Sequence, residues 1–438
     1  MQLNYKDTCL TPDEKINELS KSLSGYIEHL TKVSKTEKYD FPESSINLPF
    51  DKKLLKEVRD LCKIKNSSKL KYIVIIGIGG SSLGAQAIYD AIYSHFDVLE
   101  NYRLPKIIFA DTIDPEFMEK LVNLLSKRIN DPKEFLIIPI SKSGTTVETV
   151  VNLEVIYDTI KKIFFAVDER IIAITDYNSM LWNVAKEKNI STICLPQSVG
   201  GRYSVFSAVG LIPLSLVGIN IDLLLEGARE MRELCLNKDI SKNPALASAI
   251  ITYLQFTKGK LINNSFFFKP AFNSIGRWYK QLMGESLGKE KDLDEKIVNT
   301  GITPVVSIGS TDLHSVAQLF LGGPKDIMTT FISTKKDLHI PIPNELSWDG
   351  LASMIKGKSL KEVIHAEMSG TQIAYKKRGL PFISVILESS SEKSIGKFLQ
   401  FKMIEMMYLG KLMNVNAFDQ PNVEEYKIET KKILNGQI

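Results

Sequence analysis

The amino-acid sequence predicts an α/β fold containing two doubly wound parallel sheets. Three observations point there. From Lys71 onward, short runs of Ile, Val and Leu alternate with stretches of helical periodicity, the pattern of strands joined by crossover helices. The alternation stops in a helical region over roughly 207–257 and then restarts. The strand runs are mainly Ile, Val and Leu, so each sheet is expected to be parallel and covered on both faces.

Taken in order, the chain opens with a polar, helix-rich lead-in, in which "DEKINELSKSLSGYIEHL" has apolar residues at helical spacing. Then follow the strand "YIVIIGIGG", the helix "GAQAIYDAIYSHF", the strand "PKIIFADT" and the helix "DPEFMEKLVNLLSKRI". "EFLIIPISKSG", "RIIAITD" and "STICLP" read as strands, separated by the helices "TVETVVNLEVIYDTIKKIF" and "SMLWNVAKEKNI". After the helical region, "SFFFKPAF", "PVVSIG", "DIMTTFIST" and "PFISVIL" read as strands. Between them lie the helices "SIGRWYKQLMGESLG", "LHSVAQLFLGG" and "SLKEVIHAEMSGTQIAYKKRG". The long helix "SIGKFLQFKMIEMMYLGKLM" and a tail close the chain. The expected organisation is a helical segment over 1–70, α/β domains over 71–215 and 216–410, and a C-terminal segment with a helix over 411–438.

Composition narrows the function classes. The 438 residues are 44% hydrophobic and 24% charged, with a net charge of +4. The basic residues are spread along the chain, which argues against nucleic acid and suits a small anionic ligand. Cys9, Cys62, Cys194 and Cys235 match neither a zinc site nor a disulfide framework and are expected to be buried thiols in a reducing compartment. No apolar run is long enough to span a bilayer, and "MQLNYKDTCL" lacks a signal pattern, so a cytoplasmic protein without a membrane partner is expected.

Two loops carry the chemistry. In "VIIGIGGSSLGAQA", Gly77 and Gly79 fit a dinucleotide fingerprint, but the third position is Ser82. Asp111, ending the next strand, keeps a nucleotide reading open, whereas no G-K-[ST] is present for a Walker loop. Gly79 and Gly80 let backbone approach a ligand closely, and Ser81 and Ser82 add hydroxyls at a helix start. The second loop, "IPISKSGTTVET", gathers Ser141, Lys142, Ser143, Gly144, Thr145 and Thr146 where another strand enters a helix. Hydroxyls, backbone amides and a helix dipole make a cradle for a phosphomonoester.

These motifs resemble a known family. "ISKSGTTVET" is similar to the phosphate loop of sugar isomerase (SIS) domains, and "GIGGSSLG" to the matching loop of the phosphoglucose isomerase family. "SVGGRYSVFSAVGL" and "GKLMNVNAFDQPNVEEYK" resemble that family's two signatures, with "QLMGESLGKE" and "GSTDLHSVAQLF" matching between them. The resemblance runs in order from Tyr72 to Lys427 and implies two SIS domains that convert glucose 6-phosphate to fructose 6-phosphate. It implies a proton shuttle at Glu285, an enediolate-stabilising guanidinium at Arg202, and ring opening by His314 and Lys427. Substrate and phosphate contacts are implied at Gly80, Ser81, Ser141, Lys142, Ser143, Thr146, Gly201, Gln281 and Gln420. It further implies a homodimer in which His314 comes from the neighbouring subunit.

The residues fit that chemistry. Moving a proton between C2 and C1 needs a base and a fixed charge, and it needs no redox cofactor or metal. Glu285 follows Gln281 by four residues, so both share one helix face. Arg202 keeps its charge at all working pH values, and Gly200 and Gly201 thin the backbone before it. His29, His95, His339 and His365 read as satisfied or solvent-facing. Lys427 follows Gln420 by seven residues, close to two helical turns if a helix begins near Pro421. One departure is Asn422, where the family signature has glycine; asparagine is the side chain best able to replace glycine at positive φ. A non-catalytic phosphosugar sensor and an enzyme that also accepts mannose 6-phosphate remain as alternatives. An aminosugar synthase is disfavoured, because no N-terminal cysteine nucleophile domain precedes the sugar domains.

Overall fold

The computed structural model describes residues 1–348 and 350–437. The chain divides into two compact units: Thr31–Arg229, and Met1–Leu30 together with Glu230–Ile438. Its strands are β1 (Gln2–Asn4), β2 (Tyr72–Ile76), β3 (Lys106–Ala110), β4 (Phe135–Pro139), β5 (Ile172–Thr175), β6 (Ser191–Cys194), β7 (Ile262–Phe267), β8 (Lys289–Lys291), β9 (Ile297–Thr300), β10 (Thr303–Ile308), β11 (Ile327–Thr334) and β12 (Phe382–Leu387). No described helix is long and apolar enough to cross a membrane.

In the Thr31–Arg229 unit, β3, β2 and β4 form a parallel sheet, with Tyr72 opposite both Lys106 and Phe135. Parallel bridges Ile137–Ile171 and Ile140–Ile174 carry the ladder on to the parallel pair β5–β6. The spatial order is therefore β3-β2-β4-β5-β6. From β2 the chain winds to one side for β3 and back across for β4, so the winding reverses between β2 and β4. At such a reversal the helices leave on opposite faces, and a crevice opens outside the strands' carboxyl ends. Val74, Ile76, Phe135, Ile137, Ile156 and Ile160 are completely buried in the core below it. The β2 and β4 runs are uniformly apolar because both faces of this sheet are covered.

The second unit repeats the winding. Its sheet runs β1-β12-β11-β7-β10, parallel except for the edge strand β1, and reverses between β7 and β11. Phe266, Phe331 and Phe382 form its aromatic core, with Phe331 stacked on Phe266 at 5.7 Å. The helix Glu392–Leu412 is buried over most of its length and packs against the helices Pro244–Thr257 and Asn273–Leu287.

Several local expectations need correction. The lead-in is not wholly helical, since Gln2–Asn4 pairs antiparallel with β12. The strand expected at "SFFFKPAF" begins earlier, at Ile262, and ends at Phe267. Asn263 and Asn264 hid its start, because a polar pair reads as a turn; both are buried, and Ser307 donates to Asn264 Oδ1 at 2.9 Å. The helix expected at "LHSVAQLFLGG" is split into a 3-10 turn Thr311–His314 and a short helix Ala317–Gly322, with Ser315 out of helical geometry between them. The antiparallel hairpin β8–β9 went unread in a charged stretch. All four cysteines are free thiols, but Cys194 is only half-buried.

Candidate active site

The two loops singled out by the sequence leave the first sheet at its winding reversal, one from β2 and one from β4. Gly79 adopts φ +61°, and Gly80 lies so close to Gly201 that an added Cβ would stand 2.1 Å from the Gly201 carbonyl carbon. Ser204 Oγ donates to Gly201 O at 2.7 Å and also reaches Gly80 O at 3.5 Å. Gly80, Ser81, Gly201 and Arg202 are thus brought together. Arg202 is 2% exposed, and its guanidinium lies 5.5 Å from the centre of the Tyr203 ring. A buried cation of this kind is a fixed local charge, expensive to desolvate and strong where solvent is excluded.

The β4 loop is a hydroxyl network. Ser141 Oγ is hydrogen-bonded to Thr146 Oγ1 at 2.8 Å and accepts from Gly144 N at 3.1 Å. Thr145 donates its N–H and its hydroxyl to Ser143 Oγ. Gly144 turns the chain at φ +72°, and a Cβ there would meet Leu181 N at 2.5 Å. Thr146 stands at the start of the helix Val147–Lys161 without capping it by its side chain. In that helix's first turn, Thr149 Oγ1 is buried without a partner. Lys142 donates Nζ to Gln197 O at 2.6 Å, a contact that ties the loop to the segment leading into Gly201. From below, Thr175 donates its hydroxyl to Ser141 O at 2.6 Å. Next to Thr175, burial pushes the Asp176 carboxyl above its usual range, partly opposed by Lys142.

In the second unit, the helix Asn273–Leu287 runs from the carboxyl end of β7 back along the sheet. Its Gly276 packs at the level of Val306, and its Gly284 approaches Pro304, near the amino end of β10. Glu285 therefore lies toward the amino end of that strand. Gln281 donates its amide to Glu285 Oε1 at 2.9 Å, while the Gln281 Oε1 is buried without a partner. His314 is exposed at the end of the 3-10 turn that follows the carboxyl end of β10.

The comparisons with known proteins decide the family. The phosphoglucose isomerase family model matches residues 42–437. The chain belongs to the phosphoglucose isomerase family. It is 38% identical to the glucose-6-phosphate isomerase of Methanocaldococcus jannaschii over 84% of this chain and 85% of that protein. To the glucose-6-phosphate isomerase of Carboxydothermus hydrogenoformans it is 34% identical, over 84% of this chain and 80% of that one. A solved structure from Thermus thermophilus, titled a hypothetical protein, superposes with a TM-score of 0.85 at 28% identity, covering 99% of both chains. The fold is also that of a glucose-6-phosphate isomerase from Chlamydia trachomatis, at TM-score 0.81 and 20% identity, over 96% of this chain and 85% of that one.

In this phosphoglucose isomerase family member, the α-helix of the second signature begins three residues later than the Gln420–Lys427 spacing assumed. A 3-10 turn Pro421–Val423 leads into the helix Glu424–Leu434. Lys427 pairs with Glu424 at 2.6 Å, and Gln420 is exposed just before the turn. Asn422 lies inside that turn and is not at positive φ, so the glycine of the family signature is replaced here without a left-handed residue. Its side-chain amide donates instead to Glu290 Oε2 at 3.0 Å. Sequence reasoning passed over Ser204, Thr175 and Lys289, which hold the loops and the Glu285 helix in place. Ser204 and Lys289 stand inside the quoted motifs "GGRYS" and "GESLGKE", which was the signal available for them.

Proposed function

We propose that this chain interconverts glucose 6-phosphate and fructose 6-phosphate, in glycolysis and gluconeogenesis, by ring opening and proton transfer through a cis-enediol. It is an isomerase, as its family membership and its similarity to glucose-6-phosphate isomerases of other organisms imply. A cytoplasmic location goes with that role.

The observation that carries the mechanism is the Gln281–Glu285 pair. A carboxylate oriented by an amide can take a proton from C2 and return it to C1, the work of a single positioned base. The Gln281 Oε1, buried without a partner, is an acceptor that a sugar hydroxyl would satisfy. Arg202 supplies permanent positive charge for the enediolate and cannot quench it by donating a proton. The hydroxyls of the Ser141–Thr146 loop, with Gly80, Ser81 and Gly201, take the phosphate end at the helix start. Ring opening falls to His314 and Lys427, and Gln420 contacts the sugar.

The separation of Glu285 and His314 along β10 supports a homodimer in which His314 serves the partner's site. The exposed apolar side chains Leu338, Trp348, Leu351 and Met354, in the loop between β11 and the helix Leu360–Lys377, are the kind of surface a second copy would cover.

Glu285→Gln tests the reading. It should keep binding fructose 6-phosphate and lose turnover; wild-type turnover in this variant would remove Glu285 from the mechanism. Isomerisation in heavy water should place solvent deuterium on the sugar, whereas hydride transfer would leave C1 and C2 unlabelled. A coupled assay with the three hexose 6-phosphates would show whether mannose 6-phosphate is also accepted.

A further inference from the structure

We propose that Lys289 is a positioning residue, clamping the helix that bears Glu285 to the chain segment that bears Gln420 and Lys427. This rests on the reading of Glu285 as the base. Lys289 opens the β8–β9 hairpin, two residues beyond the end of the Asn273–Leu287 helix. Its side chain is 4% exposed. Nζ donates to Glu285 O at 2.8 Å and to Asp419 O at 2.6 Å, and lies 3.1 Å from Asp419 Oδ1. An ammonium has three protons, and three oxygens from two distant stretches of chain surround this one. Glu285 O belongs to the last turn of its helix, where carbonyls lack intrahelical partners and carry the negative end of the dipole. A buried cation there meets that negative end of the dipole and the Asp419 carboxylate together, so it links the two stretches.

The rest of the hairpin grips the same segment. Leu293 N donates to Asn414 O at 2.8 Å, and Asn414 donates its side-chain amide to Asp294 Oδ2 at 3.0 Å. At the far end, Asn422 donates to Glu290 Oε2. The hairpin therefore touches the segment at residues 414, 419 and 422, and the Gln420 backbone lies between the last two ties. The asparagine that departs from the family signature supplies the outermost one. A displacement of the C-terminal segment is passed through Lys289 to the backbone of Glu285, because the same ammonium holds both.

The test uses the full chain. In Lys289→Met, kcat for fructose 6-phosphate should fall on the order of tenfold or more, a larger change than the rise in KM from the loosened Gln420, since misplacement costs turnover and the phosphate grip lies on other residues. Amide hydrogen exchange over residues 413–422 should speed up about tenfold, while the cores of both units keep their protection. Lys289→Arg, which retains donors for both carbonyls, should restore the exchange pattern and most of the turnover. Unchanged exchange over 413–422, or faster exchange everywhere at once, would overturn the clamp. So would wild-type kcat in Lys289→Met. If Lys289→Met does not fold, Asn422→Ala removes only the exposed tie; it should speed exchange over 419–423 and lower kcat, and no change in either would count against the proposal. Exchange is read without turnover, so a failure of Glu285 as the base would leave this measurement interpretable.

Discussion

Glu285 and His314 sit toward opposite ends of the same strand, β10, one near its amino end and the other beyond its carboxyl end. This placement suits the proposed arrangement, in which the base at Glu285 meets a ring-opening His314 from a second copy. Each active site is then expected to draw its histidine from a second copy. Glu285→Gln and His314→Asn should each be inactive alone. Unfolded together and refolded, they should regain activity, because mixed dimers contain one site with both native residues. No recovery, with dimers present by sedimentation, would show that each chain builds its site alone.

Gln281 holds Glu285 across one helical turn, which restricts the carboxylate to one orientation. Gln281→Leu keeps the bulk and removes the donor. It should lower kcat about tenfold, as expected when a reacting group loses its alignment, and leave the thermal midpoint close to wild type. Steady-state kinetics beside a melting curve would decide it; a full loss of folding would assign Gln281 a structural role.

Gly80 and Gly201 face each other, but their tolerance should differ. A Cβ on Gly80 would stand 2.1 Å from the Gly201 carbonyl carbon and 2.6 Å from Arg202 N, whereas one on Gly201 would meet only Gly80 Cα, at 3.7 Å. Gly80→Ala must push the two loops apart, at about 1–3 kcal/mol for overpacking, and should raise KM as Arg202 shifts. Gly201→Ala should fold with near-native stability. Denaturant melts of both variants would check the contrast, and equal behaviour would contradict it.

Acid should loosen the Thr31–Arg229 unit through Asp97. Burial by itself would raise this carboxyl's pKa, but hydrogen bonds from Arg103, Tyr89 and Lys106 outweigh it and leave the value below the usual 3.8. With the folded pKa depressed, the unfolded chain binds the proton more readily, so stability is present above about pH 4 and is lost as pH falls through the folded value. Asp97→Asn should be less stable than wild type at pH 7, and that deficit should shrink below pH 4. Melting curves from pH 2 to 7 would show it; a deficit independent of pH would mean that Asp97 acts only through packing.

The sequence by itself determined the two parallel sheets and the two glycine- and hydroxyl-rich loops. The strands β2 and β4 that bear these loops are written as uninterrupted apolar runs, and each loop as a dense local cluster of glycines and hydroxyls. Those are short-range signals, complete within about ten residues. The Gln281–Glu285 contact was legible for the same reason, since helical periodicity places i and i+4 side by side. The β8–β9 hairpin and the buried polar start of β7 were not legible. "KEKDLDEKIV" has no two-residue periodicity, and Asn263–Asn264 imitates a turn until central burial and Ser307 give it a partner. Tertiary structure alone decided that Gly80 must be a glycine because Gly201 lies against it. It alone decided that Lys289 joins Glu285 to Asp419, and that the Glu285 helix approaches the amino end of β10 while His314 follows its carboxyl end. Each of these depends on segments far apart in the chain, and their proximity is set by how the sheets wind, which no local pattern records.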